Sequence, residues 1–310
     1  MSSRKTIALI GAHTALAKAL IEGVEERDLE LGLRRYVPDS AVSEGFDPLS
    51  RRAPADLAVL CMRSPEMPAL ISRLEDEGTP ILDLSESGGP YVWPWLDKTV
   101  GLAPPARSAI AQGMASAVGA VVRSIAPAAP TGLEVVSLES AAVFDQAGVD
   151  ALSEEVRTLF RMREIEAPLF GSRLAFSILP GLGILGTSHE DADRALGDRL
   201  KEASLIPSRA TRLLVPTFSA EALVLRIAVS QDLPAADVAA LIADARGVFF
   251  SAEDAPAAEE AIGRDDVLAG RLSVEPGRIG LFLCGDRLRA GSVSPALLFL
   301  ERWLAGPSGH

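Results

Sequence analysis

The chain has 310 residues, 48% of them hydrophobic, a net charge of −12 and two cysteines. Its length and apolar content exclude a disordered chain and leave room for one large or two ordinary domains. The acidic balance argues against a nucleic-acid partner, which needs a basic face, and the distant Cys61 and Cys284 provide neither a disulfide framework nor metal-ligand spacing. A reducing, cytoplasmic setting is the expectation. The apolar run at 7–10 is too short for a secretory leader, and 115–129, interrupted by Arg123, is too short to span a bilayer, so no membrane partner is expected.

Residues 6–10 read as a buried strand that ends at Gly11. Thr14 is placed to cap a helix with Leu16, Leu20 and Val24 on one face. Strands are expected at 29–37 and 57–62, a helix at 65–74, then strands at 81–84 and 99–102. Such alternation implies parallel βαβ organisation, a Rossmann-like α/β domain. A helix at 108–125 runs into the Ala- and Pro-rich stretch 126–130, which reads as a domain boundary. Beyond it come a strand at 133–142, a helix at 150–161, an extended segment at 173–178 and a helix at 190–203. Strands at 212–217 and 222–229 sit around a turn, followed by a helix at 233–246, strands at 267–272 and 279–284, and a closing helix at 295–304. This second half reads as an α+β domain with a mixed sheet, giving domains at 1–130 and 131–291.

Gly11, His13, Thr14, Ala15 and Leu16 follow a strand and open a helix, the context of a dinucleotide phosphate loop. Gly11 supplies the first glycine of the fingerprint. Thr14 replaces the second, where a β-carbon crowds a pyrophosphate unless its hydroxyl binds it, and Ala17 replaces the third. The helix N-terminus still attracts an anion, so these residues are the candidate site for NADP or NAD. Asp39 is a candidate for a ribose hydroxyl, and Arg34 and Arg35 for a 2′-phosphate; an ordinary turn aspartate and a solvated basic edge are the alternatives.

Several segments, in order, resemble the aspartate-semialdehyde dehydrogenase family: 7–17, 81–85, 110–122, 148–159, 174–180, 214–227, and 263–267 through 286–291. The resemblance implies a dinucleotide-binding domain rejoined by the last helix (292–310) and a central domain that builds the active site and a homodimer interface. It also implies a cysteine nucleophile, a histidine base, and cations for the substrate's carboxylate and phosphate.

At those positions this chain departs from the family. The cysteine position holds Ala115, with Ser116 one residue on. The histidine position holds Glu221, a weak candidate base. The substrate arginine falls on Leu214, with Arg212 two residues back on the same strand face, either a partial substitute or a surface ion pair. The glutamine position falls near Ser140, the lysine on Ala290, and the asparagine near Pro295. Of the three histidines, His13, His189 and His310, none lies near Glu221 in sequence. Cys61 ends a predicted parallel strand, where a reactive thiol and an inert buried one are both open readings, while Cys284 reads as core. Trp93 and Trp95 form an aromatic loop that either anchors to the core or marks a partner surface. No metal site is expected. Three readings follow: a catalytically silent dimeric binding protein, an NAD(P)-dependent oxidoreductase using Glu221, and a ligand sensor without chemistry.

Overall fold

The computed structural model describes residues 4–102, 106–165, 169–180, 188–251 and 255–306. They form two compact units, 1–112 with 292–310, and 113–291.

The first unit is built on a seven-stranded parallel sheet. In chain order its strands are β1 (Thr6–Ile10), β2 (Gly32–Val37), β3 (Asp47–Pro48), β4 (Leu57–Leu60), β5 (Ile81–Asp83), β6 (Tyr91–Val92) and β7 (Arg107–Ile110), arranged β3-β2-β1-β4-β5-β7-β6. The central β1 and β4 are buried apolar runs, as strands covered on both faces must be. Helix α1 (Ala15–Glu26) starts at the Thr14 cap and buries Leu16, Leu20 and Val24. Helix α2 (Met67–Asp76) packs Met67, Leu70, Ile71 and Leu74 into the core formed with Ile10, Tyr36 and Leu60.

The second unit holds a seven-stranded mixed sheet. Its elements are α3 (Ala115–Ser124), β8 (Pro130–Glu139), α4 (Asp145–Phe160), β9 (Leu179–Pro180), α5 (His189–Ser204), β10 (Ser208–Leu214), β11 (Ala220–Val229), α6 (Ala235–Ala243), β12 (Val248–Phe250), β13 (Val267–Glu275) and β14 (Arg278–Asp286), with strand order β12-β13-β14-β11-β8-β10-β9. Helices α3, α5 and α6 lie on one face. Toward them point Leu133, Val135, Ser137 and Glu139 of β8 and Glu221, Leu223, Leu225 and Ile227 of β11, all buried at alternate positions. The last helix, α7 (Ser294–Ala305), belongs to the first unit. There Leu297 lies so close to Gly23 of α1 that a β-carbon would sit 2.4 Å from its Cδ1.

Five sequence expectations are corrected. Residues 99–102 form a turn: the Asp97 carboxylate accepts the Thr99 N–H and hydroxyl, an arrangement that competes with a strand. The strand is instead β7, at the start of the expected helix 108–125. Gly113 (φ +77°) and Met114 (φ +59°) interrupt that segment, so helix begins only at Ala115. Residues 173–178 form no strand; a turn at Ala175 and Phe176 interrupts them, and Phe176 takes φ +60°. β10 and β11 do not pair; they flank β8 on opposite sides, one parallel and one antiparallel. The expected break at 126–130 falls within the second unit, because α3 packs on α5 and Arg123 Nε donates to the Ala203 carbonyl at 2.8 Å.

Among the described residues no helix is long and apolar enough to cross a membrane, and no group of His, Cys, Asp and Glu is arranged to hold a metal ion.

Candidate functional site

In the first unit the glycine turn keeps its strained backbone. Gly11 has φ +82°, and a β-carbon there would sit 2.6 Å from Met62 Cβ, so only glycine fits. The Gly11 and Ala12 N–H groups both donate to the Tyr36 carbonyl, at 2.9 and 3.1 Å, which ties the turn to β2. Thr14 does not crowd the mouth of the turn. Its buried hydroxyl faces the Gly11 and Cys61 carbonyls at 2.9 and 3.1 Å and accepts the Ala17 N–H at 3.2 Å. The side chain is therefore a helix cap bridging β1 and β4, not an outward-facing phosphate ligand. His13 is exposed, Ala15 half-buried and Leu16 buried.

The ribose candidates are engaged elsewhere. Asp39 Oδ1 accepts the Ser50 N–H at 3.1 Å, and the hydrogen bonds from Ser50 hold its carboxyl below the usual range. Arg34 donates to the Pro54 carbonyl at 2.9 Å. Cys61 is buried, its N–H bonded to Ile10 and its carbonyl to Thr14. Trp93 and Trp95 are buried, and Trp93 packs against Tyr91 with ring centroids 5.9 Å apart, so these indoles anchor their loop inward.

The second unit gathers the other site positions on the helix-covered face of its sheet. Ala115 is fully buried at the start of α3, and Ser116 is buried beside it. Met114 packs over Gly285, where a β-carbon would lie 2.7 Å from its Sδ. Gly285 is the cross-strand neighbour of Glu221, so the turn bearing Ala115 lies beside that carboxylate.

Glu221 Oε1 receives Arg287 Nη1 at 2.6 Å, and the Ser140 N–H and hydroxyl at 3.4 Å each. Side-chain exposure is 5% for Arg287 and 2% for Glu221, so the pair is closed to solvent. Burial pushes the Glu221 carboxyl up, Arg287 pulls it down, and Glu139 pushes it up again; the net direction is upward. A second buried pair adjoins the first. Arg212 Nε and Nη2 each donate to Glu139 at 2.6 Å in a bidentate fork. Arg212 is thus not a surface ion pair, and the reason is strand parity: it shares the inward face with Leu214, which is buried in an apolar cluster.

Asp286 shapes the turn that returns Arg287 to the site. Its Oδ1 accepts the Leu288 and Arg289 N–H groups at 2.8 and 3.2 Å, while the Arg287 N–H donates to the Ser219 carbonyl at 3.0 Å. Ala290 is buried in the same stretch. Glu139 and Arg287 were not picked out by sequence reasoning as site residues. The available signal was a charged residue at an inward position of an apolar strand (Glu139) or directly after one (Arg287).

Of the two thiols, Cys61 belongs to the first unit and Cys284 to the second. Cys284 faces the Ala257 carbonyl at 3.7 Å, and burial pushes its thiol up to about 11, so it stays protonated at neutral pH. His189 starts α5 in an exposed position, and His310 lies outside the described residues.

A parallel sheet with a glycine turn, coupled in one chain to a mixed sheet with helices on one face, is an architecture shared with solved semialdehyde dehydrogenases. A probable aspartate-semialdehyde dehydrogenase from Pseudomonas aeruginosa aligns over 97% of this chain and 99% of its own, with TM-score 0.85 and 20% identity. Aspartate semialdehyde dehydrogenase II from Vibrio cholerae, complexed with ASA, aligns over 98% and 99%, with TM-score 0.84 and 18% identity. A curated relative, the USG-1 protein homolog of Pseudomonas aeruginosa, is 24% identical over 97% of this chain and 98% of that protein. Residues 126–290 match the family described as semialdehyde dehydrogenase, dimerisation domain, and the chain belongs to that family.

Proposed function

We propose that this protein is a catalytically silent member of the semialdehyde dehydrogenase family that acts as a dimeric binding protein. The carrying observation is that the cations of the candidate site are neutralised from within. Arg212 is forked onto Glu139 and Arg287 is paired with Glu221, all four buried. Family chemistry needs a thiolate, a base, and free cations for the substrate's anionic groups. Here Ala115 has no nucleophilic atom, and Glu221 is held by a guanidinium. Admitting a substrate carboxylate or phosphate requires breaking a buried ion pair, which costs about 3–5 kcal/mol when one charge is left unpaired. The test is phosphate-dependent oxidation of aspartate semialdehyde with NADP or NAD. The expected result is no turnover above the protein-free rate; turnover abolished by Glu221→Gln would replace this reading with an enzymatic one.

That second reading, an NAD(P)-dependent oxidoreductase with altered catalytic residues, is favoured by one observation. Gly11 keeps its left-handed turn and Thr14 points inward, so the loop retains a dinucleotide-compatible backbone. Titration with NADPH and NADH, followed by nicotinamide fluorescence and thermal shift, separates the two. Binding at micromolar cofactor supports the second reading, and none at millimolar removes it.

The homodimer is assigned to the sheet face opposite α3, α5 and α6. There Val136, Val224 and Phe282 are cross-strand neighbours with Glu134 and Arg226 beside them, an apolar centre with opposite charges at its rim. A two-fold contact places that face against itself. Val136→Asp with Val224→Asp is expected to give a folded monomer by sedimentation velocity; an unchanged dimer would place the contact elsewhere.

A further inference from the structure

The sheet face opposite α3, α5 and α6 ends in a charged hollow. At the end remote from the Asp286 turn, a cavity of about 440 Å³ opens over β10, β8, β11 and β14. Strand register sets its key residues in two adjacent rows. Arg209, Glu134 and Arg226 are cross-strand neighbours in one, and Gly132, Ala228 and Arg278 in the next. Strand parity turns all six away from the helices.

The hollow exists because its floor is small. Gly132 has no side chain, and a β-carbon there would meet only the Ala228 Cβ, 3.9 Å away. Arg209, Arg226 and Arg278 form the charged wall. Small-molecule pockets run from about 300 to 1,000 Å³, so the space suits a compact ligand.

Charge identifies the ligand class. Among the described residues, three guanidinium groups and one carboxylate, that of Glu134, line the cavity. None of the three arginine side chains bonds or pairs with a described residue, and neither does Glu134, although it stands between Arg209 and Arg226. On the other face of the sheet Arg212 and Arg287 each hold a carboxylate at 2.6 Å. Two more carboxylates lie near Arg278 without lining the cavity. Glu275 is its neighbour on β13 and receives the Ser273 hydroxyl at 3.4 Å, and Asp232 accepts the Gly277 N–H at 2.8 Å. Planar guanidinium donors match the oxygens of carboxylate and phosphate in pairs. Arg209 and Arg226 stand two strand spacings apart, about 10 Å at the backbone, so separated anionic groups use the wall best. A two-fold contact through this face brings a second copy of the same lining, which adds guanidinium over carboxylate in the same ratio.

We propose that the cavity walled by Arg209, Arg226 and Arg278 binds a small multivalent anion carrying two or more carboxylate or phosphate groups. It is a second site, across the sheet from Glu221 and Arg287. The inference goes beyond the binding-protein reading and stands whether or not the protein turns over a substrate.

The test is isothermal titration calorimetry and thermal shift on the full chain with citrate and with pyrophosphate. Sodium chloride and sodium acetate at matched ionic strength are the controls. Citrate, pyrophosphate or both are expected to bind saturably and to raise the melting temperature, and the controls to do neither. Binding of citrate alone would assign the site to polycarboxylates, and of pyrophosphate alone to phosphate compounds. Arg209→Ala with Arg278→Ala is expected to weaken binding about tenfold or more. Ala228→Phe fills the floor while keeping every charge and is expected to weaken it similarly. All three positions are exposed, so both variants should keep the melting temperature of the ligand-free parent. A parent that binds neither anion overturns the proposal, and loss of the dimer in the arginine variant would then assign these side chains to a second copy. Stabilisation by chloride equal to that by the two probes, or unaltered affinity in both variants, also overturns it.

Discussion

Glu221→Ala is expected to destabilise the protein by about 3–5 kcal/mol, measured by urea denaturation, because it leaves Arg287 as a buried cation without its carboxylate. The 2.6 Å contact and the near-complete burial of both side chains make this a desolvated pair rather than a screened surface one. Replacing both partners with apolar residues, Glu221→Leu with Arg287→Met, is expected to recover most of that loss, since no charge is then stranded. A double variant as unstable as the single one would show that Arg287 is held by more than this pair.

The same residue predicts a pH effect with a definite sign. The folded-state carboxyl of Glu221 is raised above its ordinary 4.5, with burial the largest cause. A raised carboxyl pKa means that the folded state binds the proton more tightly than the unfolded chain. Its contribution is therefore fully present below the unfolded value and is lost as pH rises through the folded one. Glu221→Gln, which cannot ionise, removes this dependence. In a pH series of urea denaturations, wild type is expected to lose stability relative to Glu221→Gln as pH rises from about 4.5. A difference that runs the other way would mean that Arg287 outweighs burial and depresses the carboxyl.

On the binding-protein reading, placing a thiol and an imidazole at the two positions, Ala115→Cys with Glu221→His, is expected not to confer activity. A thiol at the start of α3 gains from the helix N-terminus. An imidazole at 221, however, faces the guanidinium that now lies 2.6 Å from Glu221 Oε1. That guanidinium loses its counter-charge, and about 3 kcal/mol or more of stability should go with it. Arg212 meanwhile stays forked onto Glu139 and offers nothing to a substrate anion. The expected outcome is a less stable protein with no phosphate-dependent NADP reduction. Measurable turnover by the double variant would show that the site retains free cations and lacks only its two reacting groups, against the binding-protein reading.

The amino-acid order alone carried much of this. Thr14 as a cap, the one-sided face of Leu16, Leu20 and Val24, and the apolar runs of the parallel sheet are local patterns, set by residues within a turn or a strand of one another. That residue 115 is alanine and residue 221 glutamate is likewise a fact of the order of residues; that these are the family's catalytic positions is what the colinear resemblance implies. Short segments of mixed character were less legible. Residues 108–114 read in sequence as the start of a helix, and the left-handed Gly113 and Met114 cut them off from it. Residues 212–217 and 222–229 looked like a hairpin, because sequence adjacency is the usual route to pairing; β8 separates them instead.

The order of residues alone carries the class of fold and the identities, Ala115 and Glu221, of the positions that the resemblance marks. Which charges meet on the helix-covered face is decided by folding. Arg287 meets Glu221 across 66 residues, and Arg212 meets Glu139 across 73. Spacing along the chain carries no information about such pairs. They exist because strand register aligns inward-facing positions from distant segments, and because a charge buried on that face must find its counter-charge there.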